Sequence, residues 1–407
     1  MGYRVGAASL LIAALAACGG DGGSTGDWAG TVADSAGIPV VQNPSEGLWS
    51  PESAWALEEV LSIGEMAGEV EYQFGQVIGV DVDAAGNVYV ADVQASDVRV
   101  YDAQGVHVRT LGQPGAGPGE IGAGLSGVFV TQDEVIAPDL GNARLNRFGL
   151  DGEVLSSHPI DILAGVPVRW DRIGASVVAQ LRAVNPGGEA EPAGDIVVTM
   201  GDPEAPRDTL TSLPIGQSVQ FSGGQPRARI FASEPIWDAG SSGRVLMGKN
   251  DNFRIEVRDD AGTVERVITL PFEQKPVTER DRRVFLDAVG DAARQQGAPP
   301  AAVEAFLQTV EFADFYPAFA TLSVGPAGST WVQRIKSGDE IGGDEDFDPQ
   351  DVGSPIWDVF DDEGRYLGPL TFPGRYQPIK VAGDRIYGID RDELDIQRVK
   401  VYRVVMQ

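Results

Sequence analysis

The chain has 407 residues, 43% of them hydrophobic, with 52 glycines, 26 prolines and a single cysteine. Acids outnumber Lys and Arg by 60 to 31, a formal charge of −29, which repels nucleic acid and anionic headgroups and favours cationic partners. The lone cysteine excludes an internal disulfide, and the length suits one large, turn-rich all-β domain.

Residues 1–17 read as a signal peptide: Arg4 precedes an apolar run too short to span a bilayer permanently. LAAC (15–18) has the small-small-Cys order of a bacterial lipobox, so Cys18 is the expected lipidation site. Residues 18–27, rich in Gly and Ser, form a flexible tether. By similarity to other lipoproteins, Gly19 after the cysteine points to the outer membrane. Residues 28–54 form a leader with some strand character, expected to pack on the outside of the main domain at 55–407.

The segment GNVYVADVQASDVRVYDAQGVHVRTLG (86–112) alternates β-branched or aromatic residues with others at a period of two, the pattern of strands. Gly86-Asn87 and Asp102–Gly105 supply turn chemistry between them. The unit recurs. Its second strand reads VYVAD (88–92), VIAPD (135–139), SVVAQLR (176–182), VLMGK (245–249), TWVQR (330–334) and IYGID (386–390). Turns such as LDGE (150–153), DDAG (259–262) and DDEG (361–364) follow. Repeated small antiparallel sheets predict propeller blades, because a single sheet cannot bury both faces but stacked neighbours can.

The last unit stops at three strands, while WALEEVLSIG (55–64) precedes the first complete unit without a blade of its own. The expectation is a six-bladed β-propeller closed when this early strand completes the final blade, which hides strand edges. One helical segment (276–315) interrupts the strands between blades four and five. Thr278 is a plausible N-cap, and Phe285, Ala288, Val289 and Ala292 share a face. Gly297–Pro300 divides the segment into two short helices.

GNVYVAD, VRVYDAQGVHVRTLG, LGQPGAGPGEI (111–121) and DSAGIPVVQN (34–43) resemble the six-bladed β-propeller lipoproteins of bacteria related to NHL repeats. The similarity is most specific over 28–155. It implies a fold and an envelope location, not a reaction. NHL-type propellers elsewhere bind proteins, RNA or peptides, and a few relatives are metal-dependent lyases or lactonases, so function must come from the site.

In such a fold the loops joining second to third strands share one face with the connections between blades. The long insertions at 64–75, 112–124, 185–194, 276–315 and 336–353 all fall in those two classes. This elaborated face is the expected binding surface. The second strands end there in Asp92, Asp139, Arg182, Lys249, Arg334 and Asp390, three acids facing three bases in blade order. That ring could orient a polar or zwitterionic ligand, or each member could secure its own loop. The acidic loop at 339–351 makes calcium conceivable, although EF-hand spacing is absent. DVDAAGN (81–87) reads as a hairpin turn rather than a calcium loop. Trp237 and Trp357 read as packing between blades, or as a sugar platform.

Only His107 and His158 are present, both expected away from the axis; Cys18 is committed to lipid; and no G-x-S-x-G elbow occurs. The leading expectation is a non-catalytic, lipid-anchored envelope module that binds a protein, peptide or glycan as a monomeric propeller, with the membrane met through the anchor only. Two alternatives stand beside it: a calcium-dependent lactonase-like hydrolase in the channel, and a scaffold subunit of an envelope complex.

Overall fold

In a computed structural model of the protein, the residues described are 28–161, 165–174, 176–182, 194–200, 208–214, 216, 218–222, 225–295, 297–343 and 352–406. Cys18 and the tether lie outside them. Six four-stranded antiparallel blades, one of them extended to a six-stranded sheet by the leader, are arranged as a six-bladed β-propeller. Blade one is Val77–Val82, Val88–Asp92, Asp97–Tyr101 and His107–Leu111. Each of the six expected second strands takes that place in its own blade.

The alternation sets the packing. Tyr89, Ala91, Val98 and Val100 of blade one enter a core shared with blade two, while Val88, Val90 and Tyr101 enter one shared with blade six. Both faces of a sheet are thus buried against neighbours, the driving force for stacking. The turns between third and fourth strands repeat one device. Asp102 accepts backbone N–H groups from Gln104 and Val106, and Asp361 accepts them from Glu363 and Arg365. Gly105 and Gly364 follow at φ of 82° and 83°, in the left-handed region where glycine costs least.

Ring closure is as the sequence predicts. Ala56–Ile63 pairs antiparallel with Gln397–Val405 and completes blade six. The leader is also built into sheet. Thr31–Ser35 and Ile38–Gln42 form a hairpin, and the second of these strands lies parallel to Val264–Thr269, the outer strand of blade four. The chain then passes blade five, where the N–H groups of Leu48 and Trp49 donate to Tyr366 O and Leu367 O, before entering blade six.

The helical interruption consists of α1 (Glu279–Gln295) and α2 (Pro300–Leu307). Thr278 caps α1: the Asp281 N–H donates to Thr278 Oγ1 at 3.2 Å, and the Thr278 N–H donates back to Asp281 Oδ2 at 2.9 Å. Phe285 and Val289 are buried as their common face requires. Two further elements have no counterpart in the sequence reading. A hairpin, Val219–Ser222 and Gln225–Ile230, precedes blade four and pairs in parallel with Glu311–Phe312. A short helix α3 (Gly338–Gly343) opens the acidic loop. Phe231, Val277, Phe285, Val289, Ala313 and Ile341 join these insertions into a small core of their own. No helix among the described residues is long and apolar enough to cross a membrane.

Candidate binding face and axial channel

The insertions leave the ring on the face reached by Asp92 and Asp139. A depression of about 380 Å³ lies there, lined by Gly75, Gln76, Val93, Gln94, Ala123, Arg391, Asp395 and Gln397. These residues come from the loops of blades six, one and two. The satellite core is built from insertions around blades four and five, so the face is capped on one side and dished on the other. Arg391 Nη1 lies 3.2 Å from Asp395 Oδ1, which leaves a rim of both signs.

Each of the six strand-end charges is engaged close to its own blade. Asp92 is fully buried and accepts N–H groups from Gly75, Gln76, Gln94 and Ala95 at 2.8–3.2 Å. Asp139, equally buried, accepts from the Gly122 and Asn142 backbone and from Asn142 Nδ2. Arg182 pairs with Asp195 at 2.8 Å, Lys249 with Asp251 at 2.8 Å and Asp390 with Lys400 at 2.8 Å. Arg334 donates from Nε and Nη2 to the two oxygens of Asp358, which also takes the Tyr366 hydroxyl. Asp92 and Asp139 therefore clasp the loops that shape the depression, while Arg182, Arg334 and Asp390 pair with a residue on or at the start of the next strand and Lys249 pairs with Asp251 two positions on.

Asp83 accepts the N–H groups of Ala85 and Asn87, which makes 81–87 a hairpin turn. Trp237 is buried between blades three and four, where its indole N–H donates to Gln180 Oε1 at 2.8 Å; Trp357 is buried against Phe372. His107 and His158 lie in outer strands. In the acidic loop, Asp339 pairs with Arg280, and Glu340 accepts from the Ser337 and Ser354 hydroxyls; positions 344–351 lie outside the described residues.

A second cavity, about 160 Å³, lies on the axis and is lined by inner-strand residues of all six blades. Its charged lining is Asp81, Arg169, Asp171, Asp238 and Lys380. The carboxylates tie adjacent blades at the axis. Asp81 takes the Val130 N–H at 2.8 Å, Asp171 takes that of Ala239 at 3.2 Å, and Asp238 takes that of Val324 at 2.8 Å. Arg169 Nη2 reaches Asp238 Oδ1 at 3.0 Å and Asp171 Oδ2 at 3.6 Å, and its guanidinium lies over Trp237. Lys380 Nζ sits 3.3 Å from Asp81. Burial pushes the Asp238 carboxyl up to about 7, with the charge of Asp171 adding to the shift and Arg169 opposing it. Charged residues inside inner strands, in DVDAAG, VRWDR, IWDAG and PIKVA, were the available sequence signal for this cluster. Among the described residues, no group of three or more His, Cys, Asp or Glu side chains is arranged to hold a metal ion.

No protein-family model matches the chain, and no curated protein matches it. Solved structures do. A member of the DUF4221 family from Bacteroides vulgatus is 10% identical and superimposes with a TM-score of 0.52, covering 87% of this chain and 99% of its own. A Bacteroides fragilis protein described as exported is 11% identical with a TM-score of 0.51, covering 90% of this chain and 99% of its own. At such identities the likeness concerns the fold alone. Sheet order, ring closure and these two neighbours agree: the chain is a six-bladed β-propeller.

Proposed function

We propose that the protein is a non-catalytic binding module, held to the bacterial envelope by a lipid on Cys18, which takes a protein, peptide or glycan ligand on the elaborated face. The observation that carries this reading is one-sidedness. The helices, the extra hairpin and the 380 Å³ depression share one face, whereas short turns close the other. Long loops on a rigid scaffold are the usual seat of recognition. The rim offers Gln94, Arg391 and Asp395 beside small Gly75 and Ala123, which suits a polar ligand lying against a shallow surface. One solved neighbour is described as exported, which fits an envelope location.

The leader places the attachment point of the tether. Thr31 pairs with Gln42, and Gln42 with Thr269, at the end of the outer strand that leads into the helical insertion. Trp28, whose indole N–H donates to Asn43 Oδ1, therefore lies at the elaborated end of this sheet. Ten tether residues (18–27) span at most about 35 Å, so a lipid on Cys18 would hold Trp28 within that distance of the membrane.

The hydrolase alternative calls for carboxylates converging on the axis. Asp81, Asp171 and Asp238 do line the axial cavity, but each faces a cation and an N–H group, an arrangement that favours binding over metal-assisted hydrolysis. The test is affinity capture from the organism's own solubilised envelope. The wild-type lipoprotein retains a specific component, and the double variant Gln94→Ala/Arg391→Glu loses at least about tenfold of it; equal capture by both overturns the reading. Cys18→Ala moves the protein to the soluble fraction if the anchor is as proposed.

A further inference from the structure

Three glutamines, Gln76, Gln94 and Gln397, line the depression on the elaborated face. Gln397 is only 4% exposed. Its Oε1 accepts the Val77 N–H at 2.6 Å, which fixes the amide and leaves Nε2 without a hydrogen-bond partner among the described residues. Buried polar groups are normally satisfied, and the open space beside this one is the depression. Gln76 and Gln94 are exposed, and their side-chain amides also lack partners among the described residues. A Cβ at position 75 would lie 2.3 Å from Gln94 Oε1, so Gly75 is what lets that side chain lie across the loop. A primary amide carries the donor and acceptor pair of a peptide unit. The floor thus matches a ligand that offers N–H and C=O groups at intervals, as an extended backbone does.

The rim differs in character. Among the described residues, the three most exposed large hydrophobic side chains are Leu394 at 70%, Val70 at 69% and Met66 at 61%. All three belong to the two loops, 64–75 and 391–397, that supply Gly75, Arg391, Asp395 and Gln397 to the depression. Both loops are pinned. Gln73 Nε2 donates to Gly68 O at 2.8 Å and Arg99 Nη1 to Gln73 O at 2.7 Å, while Asp392 Oδ1 takes the N–H groups of Leu394 and Ile396 at 3.0 Å. Apolar side chains gathered on fixed loops beside a concave site mark an interaction surface. The same loops carry Glu65, Glu69 and Glu393, exposed and without an ion-pair partner among the described residues, whereas Arg391 and Arg375 both turn onto Asp395, at 3.2 and 3.1 Å.

We propose that the depression binds an extended polypeptide segment carrying apolar and basic side chains, its backbone against the three glutamines, its apolar groups against Leu394, Val70 and Met66, and its cations against the glutamates. This rests on the reading of the elaborated face as the binding surface and names the ligand class. A glycan has no side chains to cover the apolar rim, and the depression has no aromatic residue in its lining for a sugar to stack on. A bilayer would cover the rim but leave the floor amides unmet, and anionic headgroups would be repelled by the glutamates.

The test is fluorescence polarisation with the full lipidated chain in detergent, at up to about 100 μM, and labelled pools of random peptides about ten residues long. One pool is drawn from Leu, Val, Lys and Ser; a second has Glu in place of Lys; a third has Gly in place of Leu and Val. The first pool binds, and the other two bind at least about tenfold more weakly. Val70→Ser/Leu394→Ser, at exposed positions where the fold tolerates change, weakens the first pool about tenfold. Val106→Ser/Val108→Ser, exposed valines at the outer strand of blade one, leaves it unchanged. Glu69→Lys/Glu393→Lys shifts preference to the second pool. Equal binding of the three pools, or no greater loss in Val70→Ser/Leu394→Ser than in Val106→Ser/Val108→Ser, overturns the proposal. In lipid vesicles without peptide, iodide quenches a dye on Leu394→Cys as fully as one on Val106→Cys; protection at 394 alone overturns it in favour of the bilayer. If no pool binds while the wild-type chain still captures an envelope component that Gln94→Ala/Arg391→Glu loses, this ligand class is wrong and the reading of the face stands; if capture fails as well, both fall.

Discussion

Ile63 lies opposite Val399 in antiparallel register, so a strand from the start of the ring and the last strand of the chain form one sheet. Both are buried, and both belong to the core that joins blade six to blade one. The seam carries a polar tie as well, since the Val77 N–H of blade one donates to Gln397 Oε1 of blade six at 2.6 Å.

Ile63→Ala should therefore cost about 2–5 kcal/mol, the range for truncating a buried aliphatic side chain, and lower Tm by roughly 3–7 °C for a domain of this length. Val60→Ala, on the same strand but partly exposed, should cost under about 1 kcal/mol. Differential scanning calorimetry of the two variants checks the contrast. Equal shifts would mean that the closing strand contributes no special packing.

Asn43 joins the leader to two blades. Its Nδ2 donates to Gly364 O at 2.9 Å and Thr269 O at 3.2 Å, while its Oδ1 accepts from the Tyr366 N–H at 2.7 Å and from Trp28 Nε1 at 3.1 Å. It is buried. Asn43→Ala leaves several of these groups unmet, at about 1–3 kcal/mol for each one that water cannot reach. Amide exchange in 31–42 should accelerate in the variant, with blades one and two unaffected.

Much of this architecture is legible in the sequence because it rests on local signals that tertiary contacts reinforce. The period-two runs give the second strands, Asp and Gly give the turns, and the unpaired WALEEVLSIG implies closure. The hairpin at 219–230 escapes because its strands are short and one of them pairs in parallel with residues 311–312, some 80 positions on. α3 escapes because GDEIGG has weak helix propensity and is held by tertiary contact, with Ile341 buried against α1. At the site, strand-end charges stand out in a sequence, but which of them meet loops and which meet cations depends on neighbours far along the chain. The axial cluster is the clearer case: Asp81, Arg169, Asp238 and Lys380 come from four blades, and no local pattern links them.

Asp92 illustrates the distinction. With four backbone N–H groups on a fully buried carboxylate, Asp92→Ala should destabilise the protein by upward of about 3 kcal/mol, and Asp92→Asn by less. Denaturant unfolding measures this directly. Unchanged stability in Asp92→Ala would mean that the carboxylate is not a loop clasp.

Asp238 sets a pH dependence of definite sign. Its carboxyl is raised to about 7 in the folded protein, against an unfolded value near 4. Between those values the folded state holds a proton that the unfolded state releases, so raising pH through this window disfavours folding, at no more than ~1.4 kcal/mol per pH unit. The loss is complete above about pH 7. The groups facing Asp238 are Asp171, Arg169, Lys380 and the Val324 N–H. Asp238→Asn should remove this contribution, so that Tm between pH 5 and 8 falls less steeply than in the wild type. An identical slope in both proteins would show that Asp238 titrates outside the window.

The most direct test of the central claim, that the elaborated face is the binding surface, is site-specific photocrosslinking in intact cells. A photoreactive residue replaces Gln94, exposed at the depression, or Glu363, exposed on a short turn of the opposite face. The account predicts a discrete adduct from position 94 and none from position 363. An adduct from 363 alone, or equal yields from both positions, would contradict it.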